Sequence, residues 1–189
     1  ARFNLKIKSK SPFTRQGIEE LKSLNLPEYA GRSLGIMVRG LLFVKTEIKH
    51  IDEQLEKIEE KLPEAKLLRT IPSVGQFSSL TFLVELAEWR RFKTVKNLSA
   101  YISMIPKMSG SANKMYFGRM RFDGNKAIRY AFNRAAEHAI KMKNNEFYNY
   151  FTRLYPKKKR RTAVAAVAHK ILRVCYGVLK SGEPYKSGS

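Results

Sequence analysis

Between residues 34 and 62 apolar side chains recur at alternating steps of three and four: Leu34, Met37, Leu41, Val44, Ile48, Ile51, Leu55, Ile58 and Leu62. A strand cannot use that spacing, because its side chains alternate with a period of two. The pattern is a run of heptad a and d positions and predicts one long helix over about 27–62, with Pro27 in its first turn and Pro63 ending it. Such a seam is closed by a second chain or by a returning helix of the same chain, and the residues alone leave both open. The acid-rich stretch 52–61 (DEQLEKIEEK) reads as a solvated face. A fold organised around this helix is mostly α.

The rest of the chain is strongly basic. Its 189 residues carry 37 Lys and Arg against 16 Asp and Glu, a formal net charge of +21. Self-repulsion of that size destabilises a compact state unless a polyanion offsets it, so nucleic acid is the expected partner. With 43% apolar and 11% aromatic residues the chain has enough apolar surface to fold. A single cysteine, Cys175, excludes an internal disulfide and a Cys-based zinc site. His50, His138 and His169 share no ligand spacing, so no metal is expected on them. No run of about 18 apolar residues suggests a membrane span, and no signal peptide is visible. The chain opens at Ala1 without Met, and we expect it to be part of something longer.

Punctuation by Pro, Gly and Ser divides the chain. Residues 1–26 read as a basic linker with a short helix over 14–24, and 27–62 is the coiled-coil helix. Residues 63–182 form a compact helical domain, followed by a tail at 183–189. Within that domain, 64–90 reads helix, tight turn, helix, with Leu67, Leu68 and Ile71 before Pro72-Ser73-Val74-Gly75 and a second helix from Phe77 to Trp89. A short helix capped by Thr94 follows at 94–104. Residues 105–125 (IPKMSGSANKMYFGRMRFDGN) show no helical period and read as a structured loop or short hairpin. A helix over 125–143 carries Ile128, Phe132, Ala135, Ala136 and Ile140 on one side. A hinge at Asn144-Asn145 leads to the aromatic stretch 146–155, and a last helix runs from Thr162 to about Leu179.

Three segments carry possible chemistry. The turn at 66–90 fits a helix-hairpin-helix, whose backbone N–H groups and helix N-terminus face a phosphate without reading bases. Here Ser73 stands where the first hairpin glycine is usual, beside Gly75; an ordinary packing turn is the alternative. The loop 105–125 places Ser109, Gly110, Ser111 and Lys114 near Arg119, Arg121, Lys126 and Arg129. A serine nucleophile needs such freedom and nearby cations, yet a plain phosphate-contacting loop has the same composition. The run Lys157, Lys158, Lys159, Arg160, Arg161 supplies non-specific affinity for nucleic acid, a nuclear-type signal or a solvated patch. Tyr148, Tyr150, Phe151 and Tyr155 have a spacing suited to core or to base stacking, and Cys175 shares an apolar face with Ile171, Leu172 and Val178. Carboxylates downstream of the long helix are sparse and unpaired in spacing, so no two-metal site is expected in this chain.

The order of these motifs resembles a known family. Ile71–Gly75, Arg91-Phe92 with Leu98–Tyr101, Ile105-Pro106, Ser109–Lys114 and Gly118–Asn125 are similar, in that order, to the C-terminal domain of insertion-sequence transposases that also carry a RuvC-like DEDD domain. The class includes pilin-gene inverting recombinases and bridge-RNA-guided transposases. The likeness covers roughly residues 64–180, and the helix before it corresponds to the family's coiled-coil connector. The resemblance implies DNA binding and strand exchange by a serine nucleophile. It also implies a RuvC-like nuclease domain outside this chain that would hold Mg2+, a guide RNA as a further partner, and pairing of protomers through 34–62. The family's serine lies five residues after the proline, which points to Ser111. Ala112 then replaces the family's following glycine, whereas Ser109 keeps one in Gly110, so Ser109 is the second candidate. Lys114, Arg119 and Arg121 would hold the DNA backbone, and Ser73 and Gly75 would grip phosphate further out. Such a protein is expected in a prokaryotic cytoplasm, with the nucleoid when bound; the competing reading is a non-catalytic nucleic-acid-binding and dimerisation module.

Overall fold

The computed structural model describes residues 6–111, 114–120 and 124–187, and over 106–120 the backbone alone. The described residues form eight α-helices, two single 3-10 turns and one two-stranded hairpin, so the fold is mostly α as expected. The chain divides into two compact units, Ala1–Leu55 and Glu56–Ser189.

In the first unit α1 (Arg15–Ser23) starts where the Thr14 side chain accepts the Gly17 amide at 3.0 Å. Gly17 is required by close approach: a Cβ there would lie 2.2 Å from the Ser11 carbonyl oxygen. Glu20 accepts the amides of Lys8 and Ser9 at 2.7 and 3.0 Å, fixing the incoming chain; these bonds, Ser9 first, hold its carboxyl below the usual range. The helix α2 (Glu28–Glu60) follows, with the Pro27 carbonyl accepting the Ala30 and Gly31 amides. Its 33 residues extend ~50 Å. Ile18 of α1 and Val38 of α2 are buried, while Met37, Ile48 and Ile51 of the heptad stripe are 70, 52 and 55% exposed.

The last turn of α2 belongs to the second unit. Here the expectation of a solvated face over 52–61 fails at one residue. Glu59 is 4% exposed and accepts Arg69 Nη1 at 2.9 and 3.0 Å and Gln76 Nε2 at 2.9 Å. Burial pushes the carboxyl up, but the bonds from Arg69 and Gln76 and the charges of Arg69 and Lys66 outweigh it, leaving it below its ordinary value. Pro63 ends the long helix and opens the next, α3 (Pro63–Leu68), because its missing N–H is not needed in a first turn. After the turn at 69–75 comes α4 (Gln76–Leu86), which stops short of Trp89 because Ala87 takes a positive φ of 47°. Trp89 instead enters a 3-10 turn, Trp89–Arg91, and packs edge-on to Tyr176.

Thr94 caps α5 (Val95–Tyr101) as expected, accepting the Asn97 amide. The segment expected as a loop or hairpin is an antiparallel pair, β1 (Pro106–Ser111) and β2 (Lys114–Met120), with a register shift between Pro106 and Met108. Asn125 caps α6 (Lys126–Lys141) by accepting the Ile128 amide at 3.0 Å. The preceding Gly124 fits because a Cβ would meet the Ile102 carbonyl carbon at 2.5 Å. Ile140 is only part-buried, and Ala131 and Ala139 complete the buried face of α6. Where a hinge is expected the structure has a capped join. Asn145 accepts the Phe147 and Tyr148 amides at 2.9 Å to start α7 (Glu146–Leu154), and Asn144 supplies the positive φ of 67°.

The pillar of the second unit is α8 (Arg160–Ser181), which begins two residues before the expected Thr162 and packs against α3, α5, α6 and α7. By length and composition α8 is apolar enough to cross a membrane, but ten of its residues are buried in protein contacts. Ala163, Val167 and Ala168 are fully buried on α8, which packs against α6, and Phe82 meets Phe132 edge-on at 5.4 Å. Of the aromatic stretch, Phe147 and Phe151 are core, whereas Tyr155 is exposed and stacked on Phe151. Cys175 is fully buried, which pushes its thiol well above the usual range.

Candidate nucleic-acid interface

Two depressions on the second unit share one side chain, Arg134. The first, about 480 Å³, lies at the α3–α4 turn and is lined by Thr70, Ser73, Gly75, Ser78, Arg134 and His138, among others. The turn carries Ser73 at φ 72°, a left-handed conformation that glycine adopts without strain and serine adopts at a cost. Its buried Oγ has no hydrogen-bond partner among the described residues. Gly75 is the N-cap of α4 and offers no side-chain cap, so the first-turn amides are left for solvent or a ligand. The first turn also holds no acid. Arg69, at the rim, is committed to Glu59, which ties the turn to the end of α2.

The second depression, about 440 Å³, is a groove between α6 and the first turns of α8. Spacing along α6 builds one wall: Arg129 and Tyr130, then Asn133 and Arg134, then Glu137 recur at helical steps of three and four. The other wall is Arg160, Arg161 and Val164 of α8. Arg160 donates to both oxygens of Glu137 at 2.8 and 2.5 Å, and these bonds hold the Glu137 carboxyl below its usual range. That pair removes the one carboxylate lining the groove from competition with an incoming phosphate. Arg134 and Arg161 are exposed, and Tyr130 is 60% exposed with Phe77 edge-on to it.

Of the residues expected from sequence, the structure gathers Ser73 and Gly75 in the cleft and Arg129, Arg160 and Arg161 in the groove. Lys157, Lys158 and Lys159 are exposed in the turn that leads into α8, and Lys126 is exposed at the start of α6. The basic run is therefore not one uniform patch, since Arg160 is tied to Glu137. Ser111 ends β1 and pairs with Lys114 across the hairpin, while Ser109 pairs with Tyr116. Arg119 lies on β2, and Arg121 lies outside the described residues. The site also uses Tyr130, Asn133, Arg134 and His138, which the sequence reading did not assign; the polar stripe at helical spacing on α6 was the available signal.

Comparison with known proteins fits this surface. Residues 65–152 match the family described as Transposase IS116/IS110/IS902. That segment is similar to a transposase domain of this family. It contains the α3–α4 turn, the β-hairpin and α6, so the cleft and one wall of the groove fall inside the matched segment. Two curated relatives extend the likeness. A Sinorhizobium fredii protein named "Putative transposase y4pF/y4sB" is 24% identical over 166 residues, covering 86% of this chain and 43% of its own length. The "Transposase for insertion sequence element IS1111A" of Coxiella burnetii is 24% identical over 163 residues, covering 81% of this chain and 45% of its own. The chain thus spans less than half the length of these relatives.

Proposed function

We propose that this chain is the DNA-gripping and strand-exchange portion of a transposase, acting with a RuvC-like nuclease domain that lies outside these 189 residues. The observation that carries the reading is the cationic surface joined by Arg134. The cleft offers helix N-terminal amides as a helix-hairpin-helix would, and the adjoining groove offers Arg134 and Arg161 with its lone carboxylate neutralised. Both features recognise phosphate rather than base edges, so DNA would be held without sequence preference. Target choice would then fall to other parts of the protein or to a guide RNA.

Ser111 is the proposed nucleophile, with Ser109 second. Its hydroxyl oxygen would form a bond to the scissile phosphorus as one P–O ester bond breaks. The serine proton passes to solvent and the leaving deoxyribose oxygen takes one up. Lys114, Arg119 and Arg121 are proposed to offset the charge that builds on the phosphoryl oxygens. Mg2+ is assigned in this proposal to the RuvC-like domain, and no step here passes through it. The exposed heptad stripe of α2 is proposed to pair with a second copy, placing two serines around paired DNA. Such a protein would work in the prokaryotic cytoplasm, on the nucleoid.

Trapping of protein–DNA adducts by the whole transposase on its cognate DNA, with any guide RNA supplied, tests the chemistry. Ser111→Ala is expected to abolish the adduct and Ser109→Ala to keep it. The reverse outcome moves the nucleophile to Ser109, and an adduct that survives both leaves a non-catalytic binding module. Independently, Arg134→Ala in this chain is expected to weaken DNA binding and reduce the slope of log affinity against log salt by about one.

A further inference from the structure

About a third of the way around α8 from the groove lies a second basic pocket. At about 3.6 residues per turn, Ala166, His169 and Arg173 are centred roughly 120° around the helix from Arg161, Val164 and Ala165. The second pocket, about 510 Å³, is lined by Val95, Tyr150, Arg153, His169, Lys170 and Arg173 from α5, α7 and α8. No carboxylate lines it, and none of the described residues forms an ion pair with Arg153 or Arg173. Glu146, on α7, is occupied by Lys170 Nζ at 2.7 Å and the Tyr185 hydroxyl at 2.7 Å. Arg153 and Lys170 both lie over the Tyr150 ring, at 5.4 and 5.2 Å from its centroid. Two cations thus lie over one aromatic ring and a third, Arg173, lines the same space, with no acid in its lining.

The histidine is held in a defined state. Ser99 Oγ donates its single proton to the Val95 carbonyl at 2.7 Å, so at 2.9 Å it accepts from His169 Nε2. The neutral ring therefore carries its proton on Nε2, and Nδ1 has no hydrogen bond among the described residues. Burial, then the charge of Arg173, holds the imidazole below its ordinary value, leaving it neutral at pH 7 while the pocket is empty. A bound anion would favour the charged ring and turn Nδ1 into a donor. The groups facing it are Arg173 and Lys170 from α8, Arg153 and Tyr150 from α7, and Ser99 from α5.

We propose that this pocket is a second phosphodiester site, which takes the backbone of a nucleic-acid strand distinct from the one held between α6 and α8, with Arg153 and Arg173 as charge contacts, Lys170 held beside them by Glu146, and His169 as an added donor. The inference rests on the reading that the chain handles DNA. A strand suits the pocket better than a single small anion does, because its cations come from two helices and span about a turn of α8. DNA and RNA share this chemistry.

The test uses the full 189-residue chain and a single-stranded DNA oligonucleotide of about eight nucleotides, within the usual site size. The His169 ring signals are followed by NMR through a pH titration, alongside salt-dependent binding. The expected result is a rise in the His169 midpoint when the oligonucleotide is present, and loss of that rise in Arg153→Ala/Arg173→Ala. The same double variant should reduce the salt slope by about two. An RNA oligonucleotide of matching sequence forms the second arm, and a response to either polymer supports the site and names its source. If inorganic phosphate alone moves His169 as far, the pocket is a small-anion site and the strand proposal falls. If the oligonucleotide binds in an Arg134-dependent way while His169 and the double variant show no effect, this pocket is overturned and the DNA-gripping reading stands. If no oligonucleotide binds, both fall.

Discussion

The two longest helices are opposites. Both are rich in Ile, Leu and Val, but α2 leaves its apolar residues to solvent while α8 buries its own. Met37, Val44, Ile48 and Ile51 are each more than half exposed, whereas Val167, Ala168, Ile171, Leu172 and Cys175 of α8 are fully buried. The difference is one of pattern. A narrow a and d seam suits one partner helix, and among the described residues of the first unit the other helix is the short α1. Apolar residues spread around the circumference of α8 suit four neighbours, and its cations are left in two strips where those neighbours part. An α2 stripe of this kind is a surface for association, and α8 is a core that presents charge through its gaps.

The sharpest break in that contrast should come from the core. Phe132→Ala, which empties the contact with Phe82, is expected to cost about 3–5 kcal/mol in chemical denaturation. Next is the join between helix and turn. Glu59→Gln removes the negative charge and one of the two oxygens that accept from Arg69 and Gln76, with an expected loss of about 1–3 kcal/mol at neutral pH. Because the folded carboxyl sits below its ordinary value of 4.5, this stability is present above that value and disappears as pH falls through the folded one. The gap between parent and Glu59→Gln should therefore close on acidification, and a gap that widened instead would refute the assigned partners.

Smaller still, and opposite in sign, is Ser73→Gly. It relieves the left-handed backbone and removes a buried hydroxyl without a partner, at the expense of a freer unfolded chain, for an expected gain of about 0.5–1 kcal/mol. Thermal melts of the pair would show it. The smallest effect on folding belongs to the stripe: Ile48→Ser in dilute protein should change stability by no more than about 0.5 kcal/mol. At high concentration the same change should shift sedimentation from dimer toward monomer. A core-sized loss in dilute protein would mean that the stripe is covered within one chain, and the contrast with α8 would be gone.

Much of the fold was legible because local signals agreed. Thr94 and Asn125 cap helices by hydrogen bonds within three residues, and the Pro63 boundary follows from one missing N–H. The absence of helical period over 105–125 separated a hairpin from its helical surroundings. Glu59 was misread because an acid in a run of acids looks solvated, and only the return of Arg69 and Gln76 buries it. The end of α4 differs because Ala87 takes a positive φ, and at the start of α8 Arg160 is engaged by Glu137, 23 positions away. In the site, Ser73, Gly75, Arg129, Arg160 and Arg161 were recognisable as turn or charge, but the role of Arg134 as the link between two depressions was not.

The sequence by itself determined the helical periods and the caps, which depend on residues within a few positions of one another, and the excess of positive charge and the ordered motifs similar to a transposase domain, which need no packing to be counted. Tertiary structure decided which charges are available. Arg160 is spent on Glu137, Arg69 on Glu59 and Lys170 on Glu146, and what remains is divided between two faces of α8. Those pairings join residues 10 to 24 positions apart in the chain, and a spacing of that kind acquires meaning only once packing has brought the helices side by side.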